Sequence, residues 1–274
     1  MVSCSIPYKR SLIHYQKSGI GPRPLFCFHG YGESGDSFAL LAPYLHETYT
    51  LIAIDLPFHG QTLWEEGLNC LPAEMLEIID RIGNQEDLLP SRITIAGYSM
   101  GGRVALSLLE IIPEKIERLI LLAPDGLKMN GWYWLATHTF LGNRLFRFTM
   151  AYPAWFLGSL RLLGRIKGVN QSIHKFAISY LEDRQMRNDL YDCWITMRAF
   201  KPSSKEIKRL IVKYKILVDL IYGRFDRMIR YEGGKVFSKG IESQCRLSIL
   251  QAGHQLIHPK NLEPIISIFL SSPH

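Results

Sequence analysis

The stretch IAGYSMGGRVAL, residues 95–106, sets a serine between two glycines directly after an apolar, β-branched run. Taken alone, Gly-x-Ser-x-Gly is a weak pattern, because any small-residue turn from a strand to a helix gives the same letters. The flanking residues decide its reading. RITIA (92–96) reads as a buried strand and GGRVALSLLEII (101–112) as an amphipathic helix. Ser99 therefore falls on a sharp strand-to-helix turn, where strained backbone pushes the hydroxyl above a sheet. Gly97 and Gly101 leave room for that turn, and Ser99 is the candidate nucleophile.

Serine is unreactive at its own pKa and needs a base within hydrogen-bond reach, oriented by an acid. LQAGHQL (250–256) places His254 just beyond an expected final strand, on a loop able to swing its imidazole over the sheet. YGRFDRMI (222–229) places Asp226 just past the strand before it, which makes Asp226 the preferred acid. Asp125 in LLAPDGL (121–127) is the alternative acid, although Pro124, Asp125 and Gly126 also read as a plain turn. Acyl transfer further needs an oxyanion hole. The amide of Met100 follows the nucleophile, and the amide of Tyr31 in FCFHGYGES (26–34) is the natural second donor, with Gly30 allowing close backbone approach. His14, His46, His138, His174, His258 and His274 read as solvated surface histidines, and His29 and His59 as structural members of loop motifs.

Apolar runs without strict alternation at 24–30, 49–56, 92–99, 116–124, 217–223 and 245–251 suit strands buried on both faces of a parallel sheet. Helix-like segments at about 36–47, 72–83, 100–111, 233–240 and 259–270 supply the crossovers such strands require. Residues 126–201 break the rhythm with clustered aromatics and read as a helical insertion between core segments 1–125 and 202–274. Ser203 and Glu206 have capping-box spacing ahead of IKRLIVKY, where the core helices resume.

Through HGYGES (29–34), DLPFHGQT (55–62), GYSMGGR (97–103), GRFD (223–226) and AGHQL (252–256), the chain resembles the α/β-hydrolase superfamily over 11–125 and 202–272. The resemblance implies an α/β fold with a mostly parallel central sheet, helices on both faces and a helical cap insertion. It also implies Ser99, Asp226 and His254 as a triad, with the Tyr31 and Met100 amides as oxyanion hole. Epoxide hydrolases and haloalkane dehalogenases of the superfamily carry an aspartate where this chain has Ser99, which argues against both. Phe58 departs from the usual DLPGHG pattern, and its ring either lines a pocket or packs. GYSMGGR is also similar to the menaquinone-pathway synthase of the superfamily. That similarity implies a substrate-carboxylate role for Arg103; a surface salt bridge is the other reading.

The formal charge of +7 is not evenly spread: residues 127–220 hold sixteen Lys or Arg against six Asp or Glu. No nucleic-acid motif accompanies this charge, and nucleic-acid binding is not expected. Aromatics interleave with the basic residues there. An acyl pocket with Trp132 and Trp155 in its lining, beneath a cationic rim for an anionic or carrier-linked substrate, is one reading; a lid simply packed on the core, or peripheral membrane contact, are others. Five cysteines, odd in number and without metal-ligand spacing, read as free thiols. No signal-type or spanning segment is visible, and a cytoplasmic location is expected. The reading is a serine hydrolase of carboxylic esters needing no metal or cofactor. Alternatives are an acyl thioesterase or acyl-carrier methyl esterase, a synthase-like lyase, and a non-catalytic ligand-binding protein of the same fold.

Overall fold

The structure is a computed structural model, and it describes residues 1–88, 92–163 and 181–271. His174 and His274 lie outside these residues. The chain divides into two compact units: Met1–Glu66, Cys70–Lys128 and Ala199–His274 form the first, and Gly67–Asn69 with Met129–Arg198 the second.

The first unit is built on an eight-stranded sheet: β1 (Val2–Tyr8), β2 (Ser11–Ser18), β3 (Arg23–Phe28), β4 (Tyr49–Ile54), β5 (Ile93–Tyr98), β6 (Ile116–Leu122), β7 (Leu217–Gly223) and β8 (Cys245–Leu250). Their spatial order is β1-β2-β4-β3-β5-β6-β7-β8. From β4 through β8 all pairings are parallel, while β2 runs antiparallel to β1 and β4. Every residue of β4 and β5 is buried, so both faces of the sheet are covered there, as continuous Val/Ile/Leu/Ala runs require. Ten helices accompany the sheet among the described residues. α1 (Ala42–Leu45), α2 (Pro72–Gln85), α3 (Met100–Ile111), α8 (Ser204–Tyr214), α9 (Tyr231–Ser238) and α10 (Leu262–Leu270) belong to the first unit. The second holds α4 (Gly131–His138), α5 (Phe140–Ala151), α6 (Ala154–Leu163) and α7 (Arg184–Thr196).

The strand order reverses at β3: β4 lies on one side of it and β5 on the other. At such a switch point the loops leaving the carboxyl ends of adjacent parallel strands diverge and leave a crevice, where open α/β sheets bind ligands. The loops after β3 and β5 hold His29–Ser34 and Ser99, respectively.

Three expectations change. The expected helix at 36–47 is a 3-10 turn (Gly35–Phe38) followed by the single turn α1, because Pro43 in its first turn cannot donate to a preceding turn. The antiparallel hairpin β1–β2 was not anticipated: most of β1 is exposed, and Pro7 sits within it, so it lacks the apolar run of the inner strands. Ser203 caps α8, its Oγ accepting from Glu206 N at 3.4 Å, but the Glu206 carboxylate turns to Arg209 instead of completing the box. The sheet is tied to the last helix by Arg118 on β6. Its buried guanidinium donates to Asp219 on β7 at 2.6 Å and to the carbonyls of Ile268, Phe269 and Ser271.

Candidate active site

Ser99 begins the turn between β5 and α3 at φ 51 and ψ −114, a conformation costly for a residue with a Cβ. Backbone hydrogen bonds hold it there. Its N–H donates to Leu122 O at 2.9 Å, and its carbonyl accepts from Gly102 N at 2.9 Å and Asp125 N at 2.8 Å. The two motif glycines are required by close approach: a Cβ on Gly97 would lie 2.5 Å from Gly101 O, and one on Gly101 would lie 2.0 Å from Phe28 O. The missing side chain at Gly97 lets α3 fold back on its own strand, and the one missing at Gly101 lets the turn press against β3.

The loops after β7 and β8 bring Asp226 and His254 to this serine. His254 Nδ1 lies 2.7 Å from Asp226 Oδ2, and His254 Nε2 lies 3.1 Å from Ser99 Oγ. Asp226 Oδ1 accepts from Met228 N at 2.8 Å and Ile229 N at 2.9 Å, so both carboxylate oxygens are engaged on fixed donors. With an acceptor-only carboxylate facing it, Nδ1 carries the ring proton and Nε2 keeps its lone pair toward Ser99. The Asp226 side chain is fully buried while 22% of the His254 side chain remains exposed, so the relay opens to solvent at its serine end. Tyr98 donates its hydroxyl to His254 O at 3.1 Å and sets its ring 5.5 Å from the imidazole, supporting the loop from below. Burial pushes the Tyr98 phenol upward, with the charges of Glu33 and Asp226 adding to it.

Tyr31 follows Gly30, whose backbone passes so close to the elbow that an added Cβ would lie 3.3 Å from Ser99 Cβ. Met100 is the first residue of α3. Sequence reasoning passed over Glu33 in the same loop. Its carboxylate accepts from Ser37 Oγ at 2.8 Å, burial raises its pKa, and the His254 charge pulls the other way. Its position in HGYGES was the available signal.

The DLPFHGQT segment is an anchor. Asp55 accepts from Gly35 N at 2.6 Å, Gln61 N at 2.8 Å and the His14 ring at 2.7 Å. His14 is thus corrected from a solvated histidine to a buried one, 3% exposed, bridging Asp55 and Ser3 Oγ. Its place on β2, between β1 and β4, buries it within the sheet instead of on the surface. His29 Nε2 accepts from Leu56 N at 3.0 Å and its Nδ1–H donates to Gly30 O at 2.7 Å. Burial, with the neighbouring His59, lowers its pKa to about 3. His59 bonds Pro57 O at 2.9 Å, and the Tyr31 ring meets it edge-on at 5.5 Å. Phe58 is half-buried and holds φ 62 where the common motif has glycine.

Arg103 and Asp125 come together, but not at the histidine. Their side chains form an ion pair, with the guanidinium only 5% exposed. The surface-bridge expectation for Arg103 is thereby corrected: it lies on the buried face of α3, all of whose first ten residues are buried. The carboxylate on His254 is that of Asp226, and Asp125 serves Arg103. Trp132, 80% exposed, and Trp155, 46% exposed, belong to the second unit. Among the described residues no cluster of His, Cys, Asp or Glu is placed to hold a metal ion, and no helix is long and apolar enough to cross a membrane.

A family model described as the alpha/beta hydrolase fold matches residues 23–260. The chain belongs to this family. Among curated relatives it is 26% identical over 251 residues to an uncharacterized hydrolase, YugF, of Bacillus subtilis, covering 88% of this chain and 86% of that one. It is 32% identical over 124 residues to the pimeloyl-[acyl-carrier protein] methyl ester esterase of Nitrosomonas europaea, covering 44% of this chain and 46% of that enzyme. A solved thermophilic esterase from Thermogutta terrifontis superposes with a TM-score of 0.68 at 18% identity, covering 98% of this chain and 97% of the other, a likeness of fold alone. Within an alpha/beta hydrolase, the reading of the strand order, the elbow turn and the two following loops is mutually consistent, since each lies at the carboxyl end of a parallel strand.

Proposed function

We propose that this protein is a serine hydrolase that cleaves a carboxylic ester through an acyl-enzyme. The observation that carries the reading is the unbroken relay from Asp226 through His254 to Ser99, with steps of 2.7 and 3.1 Å, ending on a serine at positive φ. Ser99 Oγ attacks the ester carbonyl, and His254 Nε2 takes the hydroxyl proton and returns it to the departing alkoxide. Water then attacks the acyl-Ser99 ester with the same nitrogen as base, releasing the carboxylic acid and restoring the hydroxyl. Asp226 holds the productive tautomer and stabilises the imidazolium. The amides of Tyr31 and Met100 receive the oxyanion, each such donor typically contributing about 3 kcal/mol to the lowered barrier. Nothing in this sequence of steps calls for a metal or cofactor. Residues 126–201 act in this reading as the cap insertion of the family.

A second reading narrows the substrate to a carrier-linked acyl methyl ester or thioester. The similarity to enzymes named for pimeloyl-[acyl-carrier protein] methyl esters supports it, as does the basic excess of 127–220. A nitrophenyl acetate burst together with fluorophosphonate labelling, on wild type and Ser99→Ala, tests the nucleophile. Loss of both burst and label in the variant is expected; persistent labelling or unchanged turnover overturns the proposal. Relative kcat/KM on methyl esters, thioesters and neutral aryl esters ranks the substrate classes.

A further inference from the structure

The second unit contains a cavity of about 630 Å³ lined by the end of α4, one face of α5 and Arg198. Residues 140, 144, 147, 148 and 151 of α5 recur at helical spacing and so face it together, which puts Arg144 and Arg147 between Phe140 and Phe148. Thr139 opens the helix with a side-chain cap on Gly142 N at 3.1 Å, fixing where that face begins. Arg198 completes a cationic lining that also holds His138 and, among the described residues, no Asp or Glu.

Arg144, Arg147, Phe140 and Phe148 are all exposed on this open face, and two features bear on what it binds. First, no described residue accepts a hydrogen bond from Arg144, Arg147 or Arg198, and like charges gathered around one cavity repel unless an anion joins them; Arg144 meets only the Phe140 ring, 5.5 Å from its centroid. Second, Asn143 in the same lining accepts at Oδ1 from Tyr191 Oη at 3.3 Å, while its buried Nδ2 has no acceptor among the described residues. A buried amide donor left unmatched is rare in folded proteins. Guanidinium groups supply donors of the kind that bind oxyanions, and Phe140 and Phe148 supply apolar walls.

We propose that this cavity binds an amphiphilic anion, a carboxylate or phosphate head on an apolar chain. The cationic residues hold the head and the phenylalanines the chain. The inference does not depend on Ser99 chemistry, because every lining residue lies within the second unit.

The test is calorimetric titration of the full chain carrying Ser99→Ala with octyl phosphate, octanoate, inorganic phosphate and octanol. Octyl phosphate or octanoate should bind at least tenfold more tightly than octanol, with affinity falling as salt is raised. Whichever of the two binds better identifies the head group. Arg144→Gln with Arg147→Gln should weaken binding at least tenfold while the circular dichroism spectrum is unchanged, because neither side chain donates to another described residue. Equal binding of octanol and the octyl anions, or unchanged affinity in the double variant, overturns the proposal. Binding of inorganic phosphate as tight as that of octyl phosphate overturns the apolar half of it. Because Ser99 is absent throughout, failure here leaves the labelling experiment on Ser99 unaffected.

Discussion

Replacing Asp226 by asparagine separates orientation of the base from every other contribution at the site. The carboxylate now accepts on both oxygens, from His254 Nδ1 on one and from the Met228 and Ile229 amides on the other. Asparagine offers one oxygen and one NH2. With its oxygen on the two amides, its NH2 faces His254, the ring proton moves to Nε2, and the base is lost. With its oxygen on His254, the part-buried Met228 and Ile229 N–H groups face an NH2 donor, at about 1–2 kcal/mol for each group left unsatisfied. The unproductive arrangement is therefore favoured by about 2–4 kcal/mol, which at about 1.4 kcal/mol per decade leaves roughly one molecule in 30 to one in 10³ with a competent base. Stopped-flow hydrolysis of nitrophenyl acetate should show kcat down by that factor with little change in KM. The companion variant Asp125→Asn removes the charge that faces buried Arg103. It should lower stability yet keep kcat within about tenfold. An Asp226→Asn enzyme within tenfold of wild type, or a larger kcat loss in Asp125→Asn, refutes the reasoning.

Gly101→Ala forces a Cβ to 2.0 Å from Phe28 O, and because that atom is backbone the elbow must move. Urea denaturation should report a loss of about 3 kcal/mol or more, with activity lost as well. At Phe58, φ 62 makes glycine a better substitute than alanine. Phe58→Gly should be more stable than Phe58→Ala by about 0.5–1 kcal/mol in the same measurement, the reverse of an ordinary site; alanine equal or better refutes strain there. His29 has a folded pKa of about 3 against an ordinary 6.5, since burial and His59 disfavour its charged form. Below pH 6.5 the unfolded chain takes up a proton that the folded chain refuses, so stability should fall as pH drops from about 6.5 toward 3. His29→Gln should flatten the pH dependence of unfolding free energy in that window; an unaltered slope refutes the assignment.

The parallel core was legible because strands covered on both faces must be apolar along their whole length, as TLIAI and ITIAG are. The proposed site was legible through order: a serine at a glycine-flanked turn, then an aspartate and a histidine each just past a later strand. The hairpin β1–β2 was not legible, since an edge strand with one open side carries only a weak alternating signal. Glu33 and His14 escaped for a related reason. A carboxylate or imidazole becomes significant through its neighbours, and those neighbours come from segments far along the chain: His254 for Glu33, and Asp55 for His14.

What this chain's sequence determined by itself is local: which segments are the inner parallel strands and most of the helices, where the elbow turns, and which residue types have the chemistry to act. It favoured Asp226 over Asp125 only because Pro124-Asp125-Gly126 also reads as a plain turn, since both carboxylates sit just past the end of a parallel strand. Which carboxylate faces the imidazole is a matter of tertiary structure, since hydrogen bonds form over distance in space and not along the chain. The loop after β7 delivers Asp226 to His254 at 2.7 Å, while α3 turns Arg103 onto Asp125. It likewise brought Arg144, Arg147 and Arg198 around one cavity, turning a diffuse excess of charge into a place with a shape.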